Sequence, residues 1–399
     1  MSTTFNLADL RCAVAGSAAA VRSITVLQPI GGEGDKIFPA TYAKGVYAEE
    51  ERRVPGTATT VPCVLLNSVQ SEANHAEEAL KRAILAGDIR LPLIEVDFAE
   101  ANKQLTKPLP NLTSLEVPHR LADAILRDSN LPDGTRFSES DYAERWRRAN
   151  LWNATPIYEL CPTALVFGMW GSPDKPGGLG AKFERAYVSE IVAVDVTKPQ
   201  LRRGFRIDPL EISKSVAVKQ NGGGFEVLSD PKAKGALRPS EVNHGNIPHQ
   251  SQNVGVRCRY AEQTTVISLG AIRKLQFPVD SKTSADLDNA GRTVLAAIAL
   301  CAGVLAAERG TSLRSRCHLH PVAPRKWQLL DKPGTEGREF ELGGEAAMEI
   351  LRGAVCAARE AGLEWMEEKL TLTPTPELLE LIRKSQEAAA KESGEGEPA

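Results

Sequence analysis

Aromatic side chains are scarce, at 5% of the 399 residues. A stacking platform for single-stranded nucleic acid needs aromatics on neighbouring strands, so this scarcity argues against one. It leaves backbone tracking by cations open. The seven cysteines, at 12, 63, 161, 258, 301, 317 and 356, are odd in number, widely spaced and free of any CxxC pair. That argues against a disulfide framework and reads as reduced thiols packed as small hydrophobes. Long hydrophobic runs are missing too. The uncharged stretch Thr293–Ala307 is hemmed in by Arg292 and Glu308 and falls short of a bilayer. No basic-then-apolar leader is read at the start, so a cytoplasmic protein without membrane contact is expected. Neither sign of charge dominates: the net charge is −3, unlike a wholly basic nucleic-acid-binding domain. There is no GxSxG elbow, no GxxxxGK[ST] and no GxGxxG, and six scattered histidines offer no preferred pair.

What is present is a globular mix, 42% hydrophobic and 25% charged, long enough to bury a large core. The charge is unevenly spread. Residues 201–274 hold twelve basic and six acidic side chains, whereas 359–397 hold five basic and ten acidic. The middle can face a polyanion while the acidic tail stays clear of it.

Helices are expected over Leu7–Val14, Ser68–Leu85, Pro118–Arg127, Ser138–Ala149, Thr283–Glu308, Gly343–Leu370 and Thr375–Lys391. Strands are expected over Ala20–Ile30, Leu91–Phe98, Thr163–Trp170, Tyr187–Val196 and Ile267–Phe277, the third and fourth close enough to pair. The last residues, ESGEGEPA, read as disordered. Strands and helices mix without regular alternation, which favours an α+β fold over a doubly wound sheet. The division expected is one main unit over 1–370 and an acidic C-terminal helix and tail over 371–399.

Four patterns invite chemistry. Cys317, His318 and His320 form the only metal-like cluster. In a strand the two histidines face away from the cysteine, and the second ligand pair is missing, so no metal or cofactor is expected. The glycines around Gly178 let backbone amides approach phosphates, with Lys182 and Arg185 directly behind, though a plain hairpin connection reads equally well. At the start of the Ser68 helix, capping explains the serines, Ser71 included, while Gln70 and Asn74 are harder to explain as caps. The basic middle contributes Lys232, Lys234, Arg238, Arg257 and Arg259, the last two on one face if they lie in a strand. Its bland alternative is a solvated surface.

Several strings carry a resemblance: RVPGTATTVPCVLLNSVQSEANHAEEAL from Arg53, LPLIEVDF from Leu91, VPHRLADAILRDS from Val117, Ala154–Val196, and LRPSEVNHGNIP from Leu237. Together they resemble the Csb-type RAMP proteins of type I-U (I-G) CRISPR systems, the Cas-seven-type backbone subunit, over roughly Ala20–Glu308. The resemblance implies a non-enzymatic, RNA-binding subunit with an RRM-like (ferredoxin-like) palm, an inserted helical region and a β-hairpin thumb. It implies copies stacked head to tail along a CRISPR guide RNA, a target DNA strand reached through the guide, and further subunits of the effector complex as partners. Length and composition put the thumb within 214–252. Within the matched strings the positions expected at the guide are Gln70, Ser71, Asn74, Lys182, Arg185, Asn243, His244 and Asn246, with Arg22 on the first strand as a further one. A competing expectation is an enzyme, either an RNA-cleaving relative or a zinc-dependent hydrolase using Cys317, His318 and His320.

Overall fold

The structure is a computed structural model, and it describes residues 5–53, 59–171, 181–198, 204–221, 223–245, 247–249 and 255–394. Expectations on Gly178, Asn246 and the tail beyond 394 fall outside the described residues.

The principal elements are α1 (Leu7–Ala15), β1 (Ala20–Pro29), β2 (Glu49–Arg53), β3 (Thr60–Asn67), α2 (Val69–Ala86), β4 (Tyr187–Thr197), β5 (Arg257–Ser268), α3 (Ala285–Glu308), β6 (Thr311–Arg314), β7 (Cys317–Pro321), β8 (Trp327–Leu330), β9 (Arg338–Phe340) and α4 (Gly344–Glu360). All nine strands form one antiparallel sheet, in the order β6-β7-β1-β5-β4-β3-β2. β8 pairs with the start of β1 beyond the end of β7, and β9 pairs with β8. Its centre therefore runs β1, α2, β4, β5, α3 and β7/β8 along the chain, with the last strands beside β1, and β5 between β1 and β4.

The helices start where side chains can satisfy free amides. Asn6 caps α1 and Asp9 returns the bond to Asn6, a reciprocal capping box. Ser68 accepts from Ser71 N at 3.3 Å and Ser284 from Leu287 N at 3.1 Å. α2 ends at Gly87, whose φ of +82° suits glycine.

α3 is the core. Every residue from Val294 to Ala302 is at most 1% exposed, enclosed by the sheet and by α1, α2 and α4. This helix is long and apolar enough to cross a membrane by composition alone. Its central place in the fold accounts for that composition. Its small residues permit close packing: a Cβ on Gly303 would sit 3.1 Å from the Trp327 ring and 3.2 Å from that of Tyr187.

One face of the sheet changes character along its length. The row Val21, Ile267 and Tyr187 joins the helix-covered core. The row Leu27, Ala261 and Ala193 joins a smaller apolar cluster with Ile37, Val256, Cys317 and Leu319. Between them lies a polar seam of Ser23, Thr25, Ser189, Gln263 and Thr265, all buried.

Several expectations need correction. Thr163–Trp170 is not a strand: Pro162–Phe167 is a helix, buried all round, closed by Gly168 at φ +85°. A short apolar run has no period to separate a buried strand from a buried helix, and Pro162 at its start favours the helix. Only Met169–Trp170 is extended, and it pairs with Lys182–Phe183, not with β4. Ile267–Phe277 ends as a strand at Ser268, whose hydroxyl caps a short helix, Leu269–Arg273. Leu91–Phe98 keeps three strand residues, Ile94–Val96, in a small separate sheet with Leu370–Pro374. Pro118–Arg127 splits into two turns of helix at Asp123, which caps the second. Ser138–Ala149 splits at Ser140, which caps Asp141–Arg147. Gly343–Leu370 is helical only to Glu360, and Pro376–Gly394 is the last helix.

Candidate nucleic-acid interface

β4 and β5 are hairpin partners whose outer ends meet at Thr197 and Arg257. Between those two residues the chain makes an excursion, 198–256. Gly204–Arg206 pairs with Ile247–His249 at its base, and Ala217–Asn221 pairs with Gly224–Leu228 as a hairpin further out. The stretch expected to be a thumb, 214–252, lies inside it.

Asp208 organises the inner part. Burial alone would raise its pKa, but amides of Ile212 (3.0 Å), Leu210 (3.2 Å) and Gly245 (3.0 Å) donate to it and hold its carboxyl below the usual range. That anchors the segment before the hairpin to the Asn243–Gly245 turn. Asn243 there takes the left-handed conformation, φ +62°, and closes the Pro239–Val242 turn of 3-10 helix. The His244 ring meets Phe225 of the hairpin edge to face, 5.3 Å between centroids.

Lys232, Lys234, Arg238, Arg257 and Arg259 are all exposed. Lys232, Lys234, Arg257 and Arg259 have no ion-pair partner among the described residues. Arg257 and Arg259 share one face of β5 with Cys258 buried on the other, as the alternation requires.

The start of α2 lies at the polar seam. Glu72, in its first turn, is buried there. It accepts from Ser189 Oγ at 2.7 Å and from Gln263 Nε2 at 2.5 Å, and also binds Asn67. Gln70 and Asn74 point the other way and are exposed, four residues apart on one helix face, and Ser71 is half-buried beside them. Arg325, in the turn between β7 and β8, reaches the same seam and donates to Gln263 Oε1. Burial holds its guanidinium below the usual arginine range, against the pull of Tyr187 and Glu72. Glu72, Ser189, Gln263 and Arg325 were not legible as a set. The available signal was polar residues at inward positions of otherwise apolar strands.

Other candidates stand apart. Arg22 faces the opposite side of the sheet and is tied to its strand neighbour Gln328, at 2.8 and 3.1 Å. Arg185 lies against Gly168 and donates to the Phe167 carbonyl at 3.2 Å. Lys182 is exposed, its ammonium 5.4 Å above the Trp170 ring. Lys182 and Arg185 precede β4, while the excursion follows it. Eleven residues of strand separate the two groups, roughly 35 Å at about 3.3 Å per residue. The expected positions therefore form two cationic places at opposite ends of β4, with the α2 start between them.

Among the described residues no three His, Cys, Asp or Glu side chains gather as a metal site. Cys317 is fully buried and its thiol is pushed up to about 11 by burial. His318, bound to Ser312 Oγ at 2.9 Å, and His320 are turned the other way.

Residues 21–198 match the model of a family described as CRISPR-associated protein GSU0053. The match supports a role in CRISPR defence. It runs from β1 to just past β4, somewhat less than half of the chain, and stops where the excursion begins. No curated protein matches the chain.

Proposed function

We propose that the chain is a CRISPR RNA-binding backbone subunit of a type I-U (I-G) effector complex, without catalytic activity of its own. Copies would stack head to tail along the guide RNA in the cytoplasm, beside other subunits, and leave guide bases free to pair with target DNA. The observation that carries this reading is the excursion: a cation-bearing arm inserted between the two central hairpin strands, next to a stretch that matches a CRISPR-associated family.

The strand order supports the RRM-like palm, with β1, β4, β5 and β7/β8 as its four strands and α2 and α3 as its two helices. The excursion would be the thumb. Cations set on separate surface segments suit a ligand read by its phosphates, and sequence reading then belongs to base pairing. A head-to-tail contact that does not close on itself extends along the guide.

The test is the absorbance ratio at 260 and 280 nm of the purified chain on a sizing column, before and after ribonuclease. The expected result is a large species with guide-length RNA, collapsing on digestion. A nucleic-acid-free monomer that also fails to bind CRISPR RNA at low salt would overturn the reading.

A further inference from the structure

The loop that joins the helices Asp141–Arg147 and Thr155–Leu160 carries a tryptophan out into water. Trp152 is 73% exposed, beside Leu151 at 37%. Burying an indole stabilises strongly, so one left in water asks for a reason. The turn beneath it is rigid. Asn150 and Asn153 exchange two backbone hydrogen bonds, at 3.1 and 3.0 Å. The Trp152 backbone N–H donates to Asn150 Oδ1 at 2.9 Å, and the Leu151 carbonyl accepts from Gln276 N at 2.8 Å. The same two helices wall a pocket of about 340 Å³, and Pro156 of its lining is only four residues past Trp152, so knob and pocket adjoin. Tyr142, Pro156, Leu160, Trp365 and Met366 give the pocket apolar sides. It is held in shape from behind: Met366 N donates to the Glu159 carbonyl at 2.9 Å, and the Trp365 ring meets buried Tyr158, 5.7 Å between centroids. Glu364, in the lining and exposed, has no hydrogen-bond or ion-pair partner among the described residues. The arginines nearby are tied to acids, Arg145 to Glu159 and Arg148 to Glu144.

We propose that this face binds a second copy of the chain, as a two-fold pair in which each Trp152 enters the pocket of the other. A patch that meets its own likeness must be self-complementary, and a knob beside a hole meets that condition. The indole would pack among Tyr142, Trp365 and Met366, and its N–H would donate to the free Glu364 carboxylate. A preformed aromatic anchor entering a preformed pocket binds with little ordering cost. Arg145 and Arg148 already hold carboxylates, and neither is free to neutralise a phosphate, so the face suits protein and not nucleic acid. A pair closed by a two-fold axis stops at two copies. It is therefore distinct from stacking along RNA and does not rest on that reading.

The test is sedimentation velocity of the full chain, freed of RNA by ribonuclease and high salt, over a concentration series. The expected result is a monomer–dimer equilibrium that stops at two. Trp152→Ala removes the knob and keeps the pocket, and should raise the dissociation constant at least about thirtyfold, the loss typical of a hot-spot side chain. Pro156→Trp fills the pocket, keeps the knob and should weaken the pair likewise. The deciding measurement mixes the two variants. Only the mixed pair can make a knob-in-pocket contact, so the mixture should associate more tightly than either variant alone. A chain that stays monomeric at every concentration, association that neither variant weakens, or a mixture no tighter than its parts would each overturn the pair. Species that grow past two copies would overturn the two-fold arrangement in favour of an open chain. A monomer whose RNA affinity falls with Trp152→Ala would overturn the pair and assign the knob to nucleic acid.

Discussion

The body of the molecule and the excursion treat the same residue types differently. In the body, several buried or half-buried cations are matched: Arg120 is bidentate on Glu77 at 2.6 and 2.7 Å, Arg325 meets Gln263, and Arg22 meets Gln328. Large apolar side chains there are mostly buried. In the excursion, Lys232 and Lys234 stand exposed without ion-pair partners among the described residues, and so do apolar groups, Ile207 at 81% and Val227 at 67%. A segment that leaves both kinds of group in water gains little from its own packing. Its shape is fixed by a few backbone devices, such as the Asp208 amide cradle, and by the two strands it springs from. Surface of this kind suits contact with something outside the chain.

The sharpest way to break the comparison is to remove the excursion. Replacing 201–253 with a short Gly/Ser linker keeps Thr197 and Arg257 as register partners. The expected outcome is a body that still unfolds in one cooperative transition, with RNA affinity at least about a hundredfold lower, as several phosphate contacts go at once. Retained affinity in a filter-binding titration would put the RNA site wholly on the body.

A body cation should behave in the opposite way. Arg120→Ala strands the Glu77 carboxylate, which burial already pushes up, and frees the Gly168 carbonyl that Arg120 holds at 2.9 Å. The expected loss is about 3–5 kcal/mol in urea denaturation, and Glu77→Leu with Arg120→Met should recover most of it. A loss within about 0.5 kcal/mol, the scale of an ordinary surface change, would show that the pair is not structural.

Smaller still is the triple change Lys232→Ala, Lys234→Ala and Arg238→Ala. Stability should hold within about 0.5 kcal/mol. The slope of log affinity against log salt should flatten by about two, since each phosphate contact on a single strand contributes roughly 0.7. An unchanged slope would remove these three side chains from the interface.

The cysteines sharpen the contrast between surface and core at the lowest cost in function. Cys12 and Cys356 are exposed and should react rapidly with a thiol reagent at neutral pH, while the five buried thiols should stay protected until the fold opens. Burial pushes the Cys258 and Cys317 thiols up to about 11 and Cys301 to about 12. The folded state thus holds their protons more tightly than the unfolded state, where thiols titrate near 8.5. Their contribution to stability is intact below about pH 8.5 and lost as the pH rises through about 11. Stability that rose over that window would contradict their burial.

Local pattern decided much of the frame without help. Caps at Asn6, Ser68 and Ser284, the apolar stripe of α2 and the alternation of β1 and β4 are written in neighbouring residues, and the corresponding elements fall where they are expected. The wide uncharged run of α3 likewise announced a buried helix. The basic stretch and its length pointed to the excursion for the same reason: composition is a local property.

Tertiary structure alone decided the rest, because it depends on which distant residues meet. ALVF is apolar at every position, so no period within it separates a buried helix from a buried strand. The seam of Glu72, Ser189 and Gln263 joins three elements far apart in sequence, and no spacing rule links them. The separation of Lys182 from Lys232 along β4, and the pocket around Trp365, follow from strand register and packing. Those arise from long-range burial, which a single chain read in order does not display.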